Sequence, residues 1–228
     1  MIRFLLLDLD DTILDFHQSE DYAIRKTLLA FDITPTDAIC QLYRQINLAH
    51  WKALERREIT REQLEVSRFE QLFFQLGISR DAVACGQLYY DHLGSVHYFL
   101  PGAEDAVRKL SQKYDLYMVT NGTARVQHSR IASAGIGPLF KDIFISQEMG
   151  ADKPDIRFFE NAFARIPDFD STQALIVGDS LSSDICGGKN MGIATCWINP
   201  NHKMPPEHLV PDYQIESITL LEQLLIKL

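Results

Sequence analysis

The sequence predicts an α/β fold, with a doubly wound parallel sheet core and a helical cap domain inserted after the first strand. Three observations predict it. Short apolar runs recur, and each ends abruptly on polar residues, as buried parallel strands do. Helix-length stretches separate the later runs. Directly after the first run comes a long block with helical periodicity and no strand candidate of comparable strength.

The first strand is residues 3–9, broken by Asp8, Asp10 and Asp11. In the block that follows, Thr36 lies after Pro35 and can cap a helix carrying Ile39, Leu42, Tyr43 and Ile46. Thr60-x-x-Gln63 has the pattern of a capping box, opening a helix with Val66, Phe69, Phe73 and Leu76 on one face and stopped by Gly77. Leu100-Pro101-Gly102 marks the return to the core. From there, helices at 103–113, 124–134, 157–165 and 181–191 alternate with strands at 116–120, 143–146, 174–177 and 194–198. This alternation is Rossmann-like and places a ligand site at the carboxyl ends of the strands. The expected division is 1–16 with 99–228 for the core and 17–98 for the cap.

Composition narrows the function. The 228 residues carry 22 basic and 31 acidic side chains, a net charge of -9. Coating a nucleic-acid polymer requires clustered Lys and Arg, so that class is disfavoured, whereas a small anionic substrate needs only a local positive site. No apolar stretch reaches the roughly 18 residues of a membrane span, and the opening run lacks a small-residue cleavage site. Cys40, Cys85, Cys186 and Cys196 are scattered without C-x-x-C spacing, as expected of buried small side chains in a reducing compartment. A soluble cytoplasmic protein is the expectation.

Four polar constellations fall at strand ends. In Asp8-Leu9-Asp10-Asp11-Thr12, Asp8 and Asp10 project to one side of an extended segment. A divalent cation between them would offset their repulsion; a solvated acidic turn, or Asp10 as a helix cap, accounts for the pair equally. Thr120-Asn121-Gly122 offers hydroxyl, amide and backbone donors to an anion, or makes an ordinary turn. Lys153 precedes Pro154, which holds it extended at the start of a helix, as also happens for a surface lysine. In Gly178-Asp179-Ser180-Leu181-Ser182-Ser183-Asp184, helix capping explains Asp179 but not a second acid returning to the same place.

Jointly and in this order, these match D-x-D-x-T, a Thr strand end, a lysine and G-D-x-x-x-x-D. The sequence resembles the haloacid dehalogenase-like (HAD) hydrolase superfamily over essentially its whole length, the insert resembling that superfamily's helical cap. The resemblance implies a Mg²⁺-dependent phosphomonoester hydrolase, with Mn²⁺ as the alternative ion. It makes Asp8 the nucleophile that forms an aspartyl-phosphate, and Asp10 the general acid and then base. Thr120 and Lys153 would be catalytic, and Thr120, Asn121, Gly122 and Lys153 would bind the phosphoryl group. The metal would be held by Asp8, the Asp10 main-chain carbonyl and Asp179, with Asp184 in support. Within that superfamily dehalogenases release halide, which needs no proton, so Asp10 favours phosphate-ester hydrolysis.

Residues 184–199 and 145–154 further resemble bacterial pyrimidine 5′-nucleotidases, which implies UMP, dUMP or dTMP as substrate. The implied partner is thus a small phosphorylated metabolite, a nucleoside monophosphate, with no nucleic-acid polymer and no membrane. Other substrates consistent with the motifs are a sugar phosphate, an acylneuraminate phosphate or phosphoglycolate. A different class, a catalytically silent protein binding a phosphoryl ligand or a partner, is opposed by the intact acid and lysine set. Phe16 and His17, and His50, Trp51 and Lys52 on an expected cap helix, are candidates for leaving-group contacts; cap packing and solvation explain the last three as well.

Overall fold

Strand β1 (Phe4–Leu7) leads through α1 (Phe16–Ala30), α2 (Asp37–Glu55), α3 (Arg61–Leu76) and α4 (Ala82–Gly94) to α5 (Ala103–Leu110) and β2 (Asp115–Thr120). There follow α6 (Ala124–Ala134), β3 (Asp142–Ile145), α7 (Ser146–Met149), α8 (Ile156–Phe163) and β4 (Ala174–Gly178). The chain finishes with α9 (Cys186–Asn190), β5 (Ala194–Ile198), β6 (Tyr213–Ile215) and α10 (Leu221–Leu225). The structure is a computed structural model describing residues 1–228. It divides into two units, residues 1–16 with 97–228, and residues 17–96.

The first unit is built on one parallel sheet of order β3-β2-β1-β4-β5-β6. Strand side chains alternate between faces, and here both faces are apolar. Leu5, Leu7, Met118, Leu175, Val177 and Cys196 join one cluster with Val107 and Leu110 of α5, Ile131 of α6 and Leu221 of α10. Phe4, Leu6, Tyr117, Val119, Phe144 and Ile176 join another with Phe158, Phe159 and Ala162 of α8. Period-two burial on both faces is what makes the strands read as unbroken apolar runs. The chain adds β2 and β3 on one side of β1, then β4 to β6 on the other. The topological switch therefore lies between β1 and β4, where such sheets open a crevice.

The second unit is helical throughout. Thr36 caps α2, its hydroxyl accepting from the Ile39 N–H at 3.3 Å. Thr60 and Gln63 form the reciprocal capping box at α3, and Gly77 ends that helix at φ 65°. The interior stacks Tyr43 on Phe69, ring centroids 5.2 Å apart, with Tyr89 5.7 Å from Phe69. A buried cation, unforeseen from the apolar pattern, sits among them. Arg68 donates to Asn47 Oδ1 at 2.9 Å, and Asn47 donates to Glu20 Oε1 at 2.7 Å.

Two expectations need correction, and one strand went unread. The helix read at 181–191 begins as a π-helical turn, Leu181–Ile185, before α9. Pro154 does not open α8; Asp155 caps it, accepting from the Arg157 N–H at 3.0 Å, because its carboxylate satisfies a donor that proline cannot. And β6, with only Ile215 buried, was too short to show a pattern.

Candidate active site

Asp8 is the first residue past β1, and its N–H donates to the Val177 carbonyl at 2.9 Å, extending the β1–β4 pairing by one step. That register sets its side chain at the switch point. Lys153 arrives from the segment beyond α7, and its Nζ donates to Asp8 Oδ1 at 2.7 Å, Asp184 Oδ1 at 2.6 Å and the Val119 carbonyl at 2.6 Å. An ammonium has three protons, and all three are used. Its main chain is clamped as well. The Lys153 N–H donates to Asn121 Oδ1, and Asn121 Nδ2 donates to the Lys153 carbonyl, each at 2.9 Å.

Asp184 is buried, and Oδ2 accepts from the Ser180 N–H at 3.1 Å. Gly178 makes this possible: a Cβ at that position would overlap the Asp184 carboxylate. Gly178→Ala is therefore expected to displace Asp184 and to lower stability by about 1–3 kcal/mol, the usual cost of forcing a methyl group into a packed site. Urea unfolding would measure it, and an unchanged midpoint would mean that the carboxylate moves aside freely. Asp179 follows β4, its carbonyl accepting from Trp197 Nε1 at 2.7 Å.

One carboxylate oxygen from each of Asp8, Asp179 and Asp184 lies within 4.8 Å of the other two. Burial pushes the Asp8 carboxyl up to about 7; Lys153 opposes this and Asp184 reinforces it. Burial, then repulsion from Asp8 and Asp184, raises Asp179 well above the usual carboxylate range. Burial lowers the Lys153 ammonium's pKa, but attraction from Asp184 and Asp8 wins, so its net shift is upward. Three carboxylates thus share one ammonium. Hard, crowded oxygen donors carrying uncompensated negative charge suit Mg²⁺ or a similar ion, and the residues present fit such a metal.

Asp10 faces elsewhere. Its Oδ1 accepts from Arg130 Nη1 at 2.6 Å and its Oδ2 from Gln127 Nε2 at 2.9 Å. Gln127 also donates to Thr120 Oγ1 at 2.9 Å. The Asp10 carboxylate is thus outside the three-acid cluster. The Gly122 N–H, expected to face an anion, donates instead to Ser146 Oγ at 3.1 Å. Both ends of the Asn121 amide are occupied by Lys153.

Sequence reasoning missed Gln127, Arg130 and Ser146. For the first two the available signal was polar residues at i and i+3 of α6, on the side that also buries Ile131 and Ala134. Among the leaving-group candidates, the Phe16 ring lies 5.8 Å from the Arg130 guanidinium carbon. His50, Trp51 and Lys52 lie on α2, where Trp51 meets Arg61 at 5.6 Å and His50 Nδ1 lies 2.9 Å from the Ile46 carbonyl. No helix is long and apolar enough to cross a membrane.

Residues 5–198 match a family model described as haloacid dehalogenase-like hydrolase. The chain is 39% identical to the HAD-hydrolase YfnB of Bacillus subtilis, covering 98% of this chain and 95% of that one. A crystal structure of YfnB bound to magnesium, in which interdomain movement was found, superposes with a TM-score of 0.94 and covers 98% of each chain. Identity to the pyrimidine 5′-nucleotidase PynA of Streptococcus pneumoniae is 38%, over 94% of this chain and 91% of that protein. Identity to the pyrimidine 5′-nucleotidase YjjG of Escherichia coli is 30%, over 98% of each.

Proposed function

The chain belongs to the haloacid dehalogenase-like hydrolase family, and from that membership we propose a Mg²⁺-dependent phosphomonoesterase acting on pyrimidine nucleoside monophosphates through an aspartyl-phosphate. One observation carries the chemistry: Asp8 is held by Lys153 at 2.7 Å, at the switch point, beside two further carboxylates. The substrate class is supported by the two named pyrimidine 5′-nucleotidases, which align over nearly the whole chain.

An Asp8 carboxylate oxygen attacks phosphorus, and the bond from phosphorus to the ester oxygen breaks. Asp10 delivers a proton to the departing oxygen. In the second half a water attacks phosphorus, Asp10 takes its proton, and the bond to Asp8 breaks to release phosphate. Lys153 fixes the attacking carboxylate and places positive charge beside an approaching anion. Thr120, with the main chain at Asn121, completes the phosphoryl site. Asp8, Asp179, Asp184 and the Asp10 carbonyl would hold Mg²⁺, which supplies charge neutralisation for anion-on-anion attack.

The test is phosphate release from UMP, dUMP, dTMP, AMP and several sugar phosphates, with Mg²⁺ and with EDTA. Metal-dependent release led by the pyrimidine nucleotides is expected. A sugar phosphate in the lead would keep the chemistry and discard the nucleotide. No release from any ester would defeat the reading.

A further inference from the structure

We infer that Gln127 and Arg130 are positioning residues that set Asp10 and Thr120 together for phosphoryl transfer, an inference that rests on the phosphatase reading above. Arg130 is fully buried, and its Nη1 donates both to Asp10 Oδ1 at 2.6 Å and to Gln127 Oε1 at 3.0 Å. The second contact decides which way the Gln127 amide faces, because only its oxygen can accept from a guanidinium. Nε2 must then point to Asp10 Oδ2 and Thr120 Oγ1, both at 2.9 Å.

Two consequences follow. Both oxygens of Asp10 are held at once, which fixes the plane of the carboxylate while each oxygen keeps a second lone pair for a travelling proton. Thr120, accepting from Gln127, retains its own proton to donate to a phosphoryl oxygen. One amide therefore aligns the proton carrier and the phosphate donor, and Arg130 aligns the amide.

The backbone makes room for this arrangement. A Cβ at Gly122 would come within 2.8 Å of Gln127 Cγ and 2.9 Å of its Nε2. The glycine of the second motif is thus accounted for by Gln127. Arg130 directs its Nη1 to Asp10 and Gln127 together.

Leaving-group dependence tests the assignment. The ester oxygen of UMP needs a proton to depart, whereas p-nitrophenolate leaves without one. Gln127→Leu and Arg130→Met are expected to lower kcat/KM for UMP about 10²-fold, the scale of general acid catalysis, and for p-nitrophenyl phosphate less than about 10-fold. Arg130→Lys should recover part of the loss. Adding Gln127→Leu to Asp10→Asn should change the ratio between the two substrates by less than about threefold, since residues acting through one another are not additive. Equal losses on both substrates, or activity unchanged or raised, would overturn the proposal. Should the first two variants fail to fold, Gln127→Asn and Arg130→Gln carry the same comparison. If the wild-type protein releases phosphate from no ester, the phosphatase reading fails. The positioning inference is then decided by a crystal structure of Gln127→Leu: an Asp10 carboxylate displaced from its wild-type place sustains it, and one left in place refutes it.

Discussion

Asp8→Asn is expected to abolish phosphate release while leaving the metal-free protein more resistant to urea at pH 8 than the wild type. Loss of turnover follows from removing the nucleophile, a change that lowers kcat by about 10⁶ in well-studied hydrolases. The gain in stability follows from burial. Asp8 has its carboxyl raised from 3.8 to about 7, so its proton is bound more tightly in the folded state than in the unfolded one. The stability this confers is complete below about pH 4 and is lost as pH rises through 7, amounting to up to about 4 kcal/mol at roughly 1.4 kcal/mol per unit. Asparagine cannot ionise and escapes that loss, while its Oδ1 still accepts the Lys153 hydrogen bond. In EDTA, wild-type midpoints should fall between pH 5 and pH 8 more steeply than those of the variant. Mg²⁺ should then stabilise the wild type more than the variant, because binding to the folded state alone shifts the equilibrium by mass action. Parallel pH profiles for the two proteins would show that Asp8 is not held against its charge.

This conflict between function and stability was legible in the sequence only in part. Asp8 and Asp10 two apart after an apolar run, Lys153 before a proline, and Asp179 with Asp184 all announced a site at strand ends, because period-two burial and strand termini are local properties. The capping box at Thr60 was legible for the same reason: donor and acceptor are three residues apart. Gln127, Arg130 and Arg68 were not. A polar residue on a helix face reads as solvated unless its partner is known. Those partners lie 117 residues away for Gln127 with Asp10, 120 for Arg130 with Asp10, and 21 for Arg68 with Asn47. Burial of charge is decided by pairing, and pairing at such separations is written in the fold rather than in any window of sequence.

Lys153→Met is expected to be the most damaging single change to folding and to impair turnover as well, and the reason is location rather than distance. Lys189 and Asp212 form an ion pair at 2.6 Å, as short as that of Lys153 with Asp184, yet their side chains are 37% and 39% exposed against 1% for each of the others. An exposed pair contributes about 0–1 kcal/mol, because water competes for both charges and screens them. Removing Lys153 leaves two carboxylates and the Val119 carbonyl without their donor, in a place from which water is excluded. Breaking a buried pair from one side costs about 3–5 kcal/mol, and here the acids left behind also repel each other. The deficit should be smaller at pH 5, where Asp8 carries its proton with or without Lys153, and widen at pH 8, where the wild-type carboxylate ionises beside Lys153 while the variant has no cation to meet that charge. Turnover should fall at least about 10²–10³-fold, the scale set by losing one preorganised charge or donor at a reacting group. Urea midpoints for Lys153→Met and Lys189→Met, taken in EDTA at both pH values, make the comparison directly. Equal midpoints for the two variants would mean that the cluster is solvated in solution, and the case for a crowded, charge-deficient acid site at the end of β1 would fall with it.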